Sequence, residues 1–298
     1  MRFTGANTLI SIGFVLMWSS GFIGAKLGTQ ESGTYTLLMW RFLLAAAILL
    51  AIQLARRALR LTPRELAVQA LVGLLGQGVY LIGTVKAVEL GVAAGTVALI
   101  AALQPIASAA LAGPVLGERV VASQWTGLAV GLAGVALVVG ADLGLNENTP
   151  WWAYGLPFLG MAGLVAATLV ERKAGAETSL ANALTVQCLV SAALFTLLSL
   201  GTGVAAPPAA EGFWLAVGWF IVFSTFGGYG FYWLGLRRTS VARMTSLIYL
   251  TPPTTMLWAF LMFGETVTAL AITGVLICIV SVWLTHWSQS SERAVTRN

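Results

Sequence analysis

Long apolar runs separated by short polar or Gly/Pro-rich breaks make up most of the chain. Taking about 20 apolar residues as one bilayer crossing, the pattern predicts ten helices, at roughly 7–26, 35–54, 66–86, 92–113, 122–141, 152–171, 181–200, 213–235, 241–262 and 267–287. No connection is long enough to hold a soluble domain. The first run starts directly after Met1-Arg2, lacks a small-residue cleavage site and is followed by nine others. It therefore reads as a retained helix and not as a signal peptide.

A second pattern lies inside the first. The stretch Leu90–Arg119 recurs 147 positions later, so that Pro105 falls on Pro252, Gly117 on Gly264 and Glu118 on Glu265. The same offset carries Thr126-Gly127 onto Thr273-Gly274, and an offset of 146 carries Lys26 onto Arg172 and Ala45 onto Ser191. Five spans per half is an odd number, so the second half must enter the membrane from the opposite side. The expectation is one integral membrane unit of two inverted five-helix repeats, 1–146 and 147–298, related by an axis in the membrane plane.

Composition narrows the class. The chain is 58% hydrophobic and 9% charged, against about 25% charged in soluble domains, and its mean hydropathy is +0.87. This is an all-α membrane protein, with the lipid bilayer as its first partner. The net charge of +5 would suit nucleic acid, but its distribution argues against that partner. Thirteen of the 16 basic residues fall in alternate short connections: Arg2; Arg56, Arg57, Arg60 and Arg64; Arg119; Arg172 and Lys173; Arg237, Arg238 and Arg243; Arg293 and Arg297. That bias places both termini in the cytoplasm. The opposite loops hold Glu31, Asp142, Glu147 and Glu211. Cys188 and Cys278 sit in apolar runs, with no metal-ligand spacing and no disulfide framework. There is no GxGxxG or Walker motif to hold a nucleotide. No cofactor and no metal is expected.

Ionisable residues inside a membrane are costly, and so mark function. Here Glu89, Glu118, Glu171 and Glu265 sit at span ends, as does the single histidine, His286. Without a buried carboxylate or histidine no ion-coupling site can be built from the sequence, which leaves movement of a substrate down its own gradient, or coupling through groups the sequence does not mark. Arg41 lies about two turns inside the second span; it either snorkels outward or faces a wet cavity and holds an anionic group. Lys86 and Glu89 are spaced for a helical ion pair. The uncharged polar residues are more suggestive. Gln77, Tyr80 and Thr84 share one face of the third span, and Tyr229, Tyr232 and Trp233 one face of its counterpart. Gln104 precedes Pro105, Ser246 and Tyr249 precede Pro252-Pro253, and Trp18 lies deep in the first span. Such groups commonly act as interhelical glue. Their concentration around three prolines points instead to a central cavity. Pro105, Pro252 and Pro253 would bend their helices and free the carbonyls of Ala101, Ile248 and Tyr249.

These residues resemble the drug/metabolite transporter superfamily in its ten-helix, EamA-type branch. The resemblance is carried by Trp18-Ser-Ser-Gly-Phe22, Lys26, Arg41-Phe42, Pro105, Gly117-Glu118-Arg119 and Gly127, and again by Pro252, Gly264-Glu265 and Gly274. Glu265-Thr266 in place of Glu-Arg and the doubled Pro252-Pro253 depart from the pattern. Within that branch the chain looks most like the YddG-type exporters of aromatic amino acids. The resemblance implies a basket of two facing repeats, a substrate cavity lined by helices 1, 3, 4, 6, 8 and 9, and alternating access. An exporter of aromatic and other small neutral amino acids, acting as a monomer, is the leading expectation. An exporter of drugs or lipophilic quaternary cations and a non-transporting scaffold subunit are the alternatives. The single histidine and the lack of a buried acid argue against an enzyme. On this reading Pro105→Ala and Pro252→Ala would straighten their helices and slow turnover more than they lower folded yield.

Overall fold

The computed structural model describes residues 5–117, 122–145, 148–175, 178–228, 230–231, 234 and 247–281. No strand occurs among them. Helix α1 runs Gly5–Glu31 and α2 Thr34–Ala55. Helix α3 covers Pro63–Glu89, α4 Ala94–Ala101, α5 Gln104–Leu116 and α6 Ala122–Leu145. Then come α7 (Trp151–Ala174), α8 (Leu180–Gly201) and α9 (Glu211–Trp219). Helix α10 is Thr251–Phe263, entered through a 3-10 turn at Leu247–Leu250, and α11 is Ala269–Ser281. Six of these helices are long and apolar enough to cross a membrane, or seven if the bent α4–α5 pair is one span. A chain in hydrocarbon must satisfy its backbone hydrogen bonds internally, and continuous helix does so.

The ends of the helices are written locally. Thr62 and Glu65 form a capping box at the start of α3, with Pro63 in the first turn. Gly117 (φ 71°) and Gly264 (φ 66°) close α5 and α10 in the left-handed region that glycine enters without strain. Asp142 is not in a loop, as the sequence pattern suggested. It lies in α6, buried, and accepts a hydrogen bond from the Ala93 backbone N–H at 3.1 Å, beside the first turn of α4. An unpaired helix N-terminus in a membrane needs an acceptor, and α6 brings this one. Lys86 and Glu89 pair at 2.6 Å, and the Glu89 carboxylate also receives the Thr34 N–H at 2.8 Å, tying α3 to the start of α2. Lys26 pairs with Glu265, joining the ends of α1 and α10.

Close backbone approach sets the pairing of the helices. A Cβ on Gly83 of α3 would lie 2.4 Å from the Leu156 carbonyl oxygen and 2.7 Å from the Gly160 Cα of α7. Between α6 and α11, a Cβ on Gly134 would lie 2.7 Å from the Gly274 oxygen, and one on Gly274 would lie 2.5 Å from the Gly134 oxygen. In the same pair Ser281 donates to the Gly127 carbonyl and the Cys278 thiol to the Gly131 carbonyl. Helix α2 packs along α8, with Phe42 stacked on Phe195 at 5.7 Å and Gln53 bonded to Asn182. Helix α1 packs on α9 and on the segment after it, and the indole N–H of Trp219, the last residue of α9, donates to the Ser20 carbonyl at 2.9 Å.

Two features differ from the sequence expectation. Pro105 and Pro252 do not bend a continuous helix. They stand in the first turns of α5 and α10, where the missing N–H has no helical partner to lose, and Pro253 follows in the same turn. The bend in this region is 45° and falls between Ala94–Ser108 and Ala110–Leu116. Its source is Pro114, inside α5, which removes the hydrogen bond to the Ala110 carbonyl. The second feature is a pair of π-helical segments, Leu74–Val79 within α3 and Phe220–Gly228 continuing α9. Leu74 and Phe220 are 146 positions apart, an offset already found between the two halves.

Pro105→Ala and Pro252→Ala should therefore change stability by less than about 1 kcal/mol. Gly83→Ala should cost about 1–3 kcal/mol, because the added methyl meets backbone on both sides. Thermal unfolding of the purified variants in detergent separates the two classes, and equal midpoints would contradict the close contact at Gly83.

Candidate functional site

A cavity lies where α1, α2, α3, α7, α8 and the π segment after α9 converge. Each helix contributes for a local reason. Helix α1 supplies Trp18 and Phe22 on one face, with Gly21 letting Ser224 approach to 3.0 Å of where its Cβ would be. Helix α3 supplies Gly76, Gln77, Tyr80, Leu81, Thr84 and Val85. Its π turn contains Gly76, Gln77 and Gly78, and a π turn widens the helix by one residue and redirects the side chains it carries. The opposite wall uses the other π segment, through Phe220, Ser224 and Thr225. Both departures from regular helix thus border the same space.

The space open to water centres is about 100 Å³, and its walls are mainly apolar. Arg41 is the single charged side chain among the described residues lining it. It is 6% exposed. Its guanidinium sits 4.2 Å from the Phe220 ring centre and 4.9 Å from that of Phe42, and Nη2 donates to Thr225 Oγ1 at 3.5 Å, a long bond for a charged donor. Of the two options the sequence left for Arg41, the structure takes the cavity.

Gln77 is held by a polar ladder between α3 and α8. Gln187 Nε2 donates to Gln69 Oε1 at 2.7 Å, Gln77 Nε2 donates to Gln187 Oε1 at 3.3 Å, and Ser191 Oγ donates to Gln77 Oε1 at 3.0 Å. The Thr84 hydroxyl turns back to the Tyr80 carbonyl at 2.9 Å. Of the residues expected at a site, Trp18, Gln77, Tyr80, Thr84 and Arg41 meet here. Gln104 does not reach this space. Its amide bonds Ser108 at 3.3 Å and Thr168 at 3.1 Å, and it borders a smaller adjoining space that shares Trp18, Phe22, Tyr80 and Leu164 with the first. Tyr249 and Pro252 line a separate pocket against Leu99 and Cys278, and Pro253 lines an apolar groove between α10 and α11. Tyr229, Tyr232, Trp233 and Ser246 lie outside the described residues. The sequence reading missed Gln187, Leu164, Phe220 and Cys188. An intramembrane glutamine was the available signal for the first; the others are apolar residues indistinguishable from core.

The family model of the EamA-like transporters matches residues 7–140 and again 151–287. The chain belongs to the EamA-like transporter family. It is a multi-pass protein of the bacterial inner membrane and a membrane transporter. It is 29% identical over 277 residues to a probable terminal-alkyne amino-acid exporter of Streptantibioticus cattleyicolor, covering 91% of this chain and 90% of that one. It is 28% identical over 286 residues to the uncharacterized inner membrane transporter YedA of Escherichia coli K12, covering 89% and 86%. A solved crystal structure of a protein superposes with a TM-score of 0.64 at 22% identity, over 95% of this EamA-family chain and 96% of the other, a likeness of fold.

The glutamine ladder gives a test of the wall. Gln187→Leu leaves the Gln69 oxygen and the Gln77 amide short of a buried partner, at a cost of about 1–3 kcal/mol. Adding Gln69→Leu should recover part of that loss. Thermal unfolding of the single and double variants reads the difference; no loss in the single variant would show that the ladder does not hold the α3–α8 contact.

Proposed function

We propose that this EamA-family protein exports aromatic and other small neutral amino acids across the inner membrane by alternating access, moving them down their own gradient. The supporting observation is the cavity: formed at the meeting of six helical segments, apolar and aromatic over most of its wall, with an amide, hydroxyls and one cation placed on it. That mixture suits a small zwitterion with an apolar side chain. The name of the Streptantibioticus relative, an amino-acid exporter, points the same way.

The architecture we propose is ten spans in two inverted repeats, 1–146 and 147–298, with both ends cytoplasmic and the monomer as the working unit. Three features support it. Helices α5 and α10 have the same length of 13 residues, the same early proline and the same left-handed closing glycine, at an offset of 147. The π segments begin at corresponding positions in the two halves. Between α6 and α11 the contacts are reciprocal. The Gly127–Ser281 contact, shifted by 147, becomes the Gly274–Gly134 contact, and Gly131 meets its own counterpart, Cys278. Reciprocal contacts of that kind are what a two-fold axis produces. Alternating access then follows if each half can adopt the conformation of the other.

Purified protein in proteoliposomes should show counterflow of labelled phenylalanine or threonine with no pH or sodium gradient imposed. Tyr80→Ala should reduce that flux while leaving folded yield intact. Counterflow no greater than in empty vesicles for every amino acid tried would end this reading.

A further inference from the structure

The smaller space beside the main cavity carries an inference about the amine end of the substrate, resting on the reading that the main cavity is the transport site. We propose that this smaller space receives a primary ammonium group. It shares Trp18, Phe22, Tyr80 and Leu164 with the main cavity, so one small molecule can lie across the boundary between them. Its space open to water centres is about 20 Å³. That is room for roughly one water-sized group, enough for an ammonium and too little for a quaternary amine.

The polar groups around it are acceptors. Gln104 Nε2 donates to Ser108 Oγ at 3.3 Å and to Thr168 Oγ1 at 3.1 Å. The Thr168 hydroxyl gives its own proton to the Leu164 carbonyl at 2.8 Å, so toward Gln104 it can only accept. The amide is therefore held one way round, and Oε1 is the acceptor it has left. Thr251 also lines the space; it is 2% exposed, and its hydroxyl meets no hydrogen-bond partner among the described residues. A buried hydroxyl left unpaired is destabilising, and a ligand that pairs with it removes that penalty. Ala101 and Ile248 line the space as well, and Pro105 and Pro252, four residues further on, have no N–H to give to their carbonyls. Pro253 takes a further donor from the first turn of α10. The rings of Trp18 and Tyr80 favour a cation over an uncharged group of the same size. No charged side chain is among the described residues lining the space, so recognition falls to N–H donors on the ligand, of which a primary ammonium offers three.

The test is proteoliposome counterflow with four compounds that share a phenyl tail. Phenylalanine has amine and carboxylate, and N,N,N-trimethylphenylalanine keeps the positive charge without N–H donors. The third, 3-phenylpropionate, lacks the amine, and phenethylamine lacks the carboxylate. Phenylalanine should move at least about tenfold faster than the trimethyl compound and 3-phenylpropionate. Thr251→Val should lower phenylalanine flux about tenfold at sub-saturating substrate. Its thermal midpoint in detergent should stay unchanged or rise, because the hydroxyl it removes has no protein partner to lose. Thr251→Ser should keep most of the flux. The trimethyl compound or 3-phenylpropionate moving as fast as phenylalanine would overturn the inference, as would parental phenylalanine flux in Thr251→Val. Phenylalanine flux that stops when sodium is replaced by choline would assign the space to a metal ion and overturn it too. Movement of phenethylamine but of no amino acid would keep the amine site and remove the amino-acid reading; movement of none of the four would remove both. Should Thr251→Val not fold, the comparison of compounds on the parent protein still decides.

Discussion

A backbone amide in hydrocarbon has no solvent to bond to, and every part of this protein answers to that constraint. Over most of its length the answer is uninterrupted helix. Among the described residues the departures include the π segments in α3 and after α9, the two-residue turn between α4 and α5, the 3-10 turn before α10 and a 3-10 turn, Trp151–Tyr154, that opens α7. The π segments border the main cavity, and residues of the turns before α5 and α10 border the smaller space that adjoins it. Irregular backbone at membrane depth is tolerated where protein or cavity water satisfies it, so the cavity and these four segments, α7's opening turn apart, occupy the same region for one reason.

The helix pairs are held by contacts that a larger residue would forbid. Gly83 meets Gly160, and Gly134 meets Gly274, at distances where the missing Cβ is the condition for contact. In a bilayer there is no hydrophobic force between helices, so shape and hydrogen bonding decide the neighbours. The glutamine ladder from Gln69 to Gln77 does this for α3 and α8 while it orients a cavity side chain. Packing and site are therefore not separable in α3: one turn, Leu74–Val79, serves both.

Much of this was legible along the chain. The apolar runs marked the helices, Lys86 and Glu89 were spaced for the pair they make, and Gln77, Tyr80 and Thr84 were read onto the face that lines the cavity. The prolines were read with the right positions and the wrong consequence. A proline four residues into a helix and one in its first turn look alike in sequence, and only the location of the preceding break distinguishes them. Asp142 was assigned to a loop because the predicted span ended at 141, one residue before it. Its acceptor role at the start of α4 depends on a neighbour 49 positions away.

By itself the sequence determined that the chain lives in a membrane, that long apolar helices make up much of it, and that its two halves share a pattern, because hydropathy and repeat spacing are properties of the linear string. Only the tertiary structure decided whether Arg41 points to lipid headgroups or inward, that Tyr249 and Gln104 stand outside the main cavity, and that Gln187 supports it. Those outcomes depend on which helix faces which, and that is set by backbone contacts at a few glycines whose partners are remote in the chain.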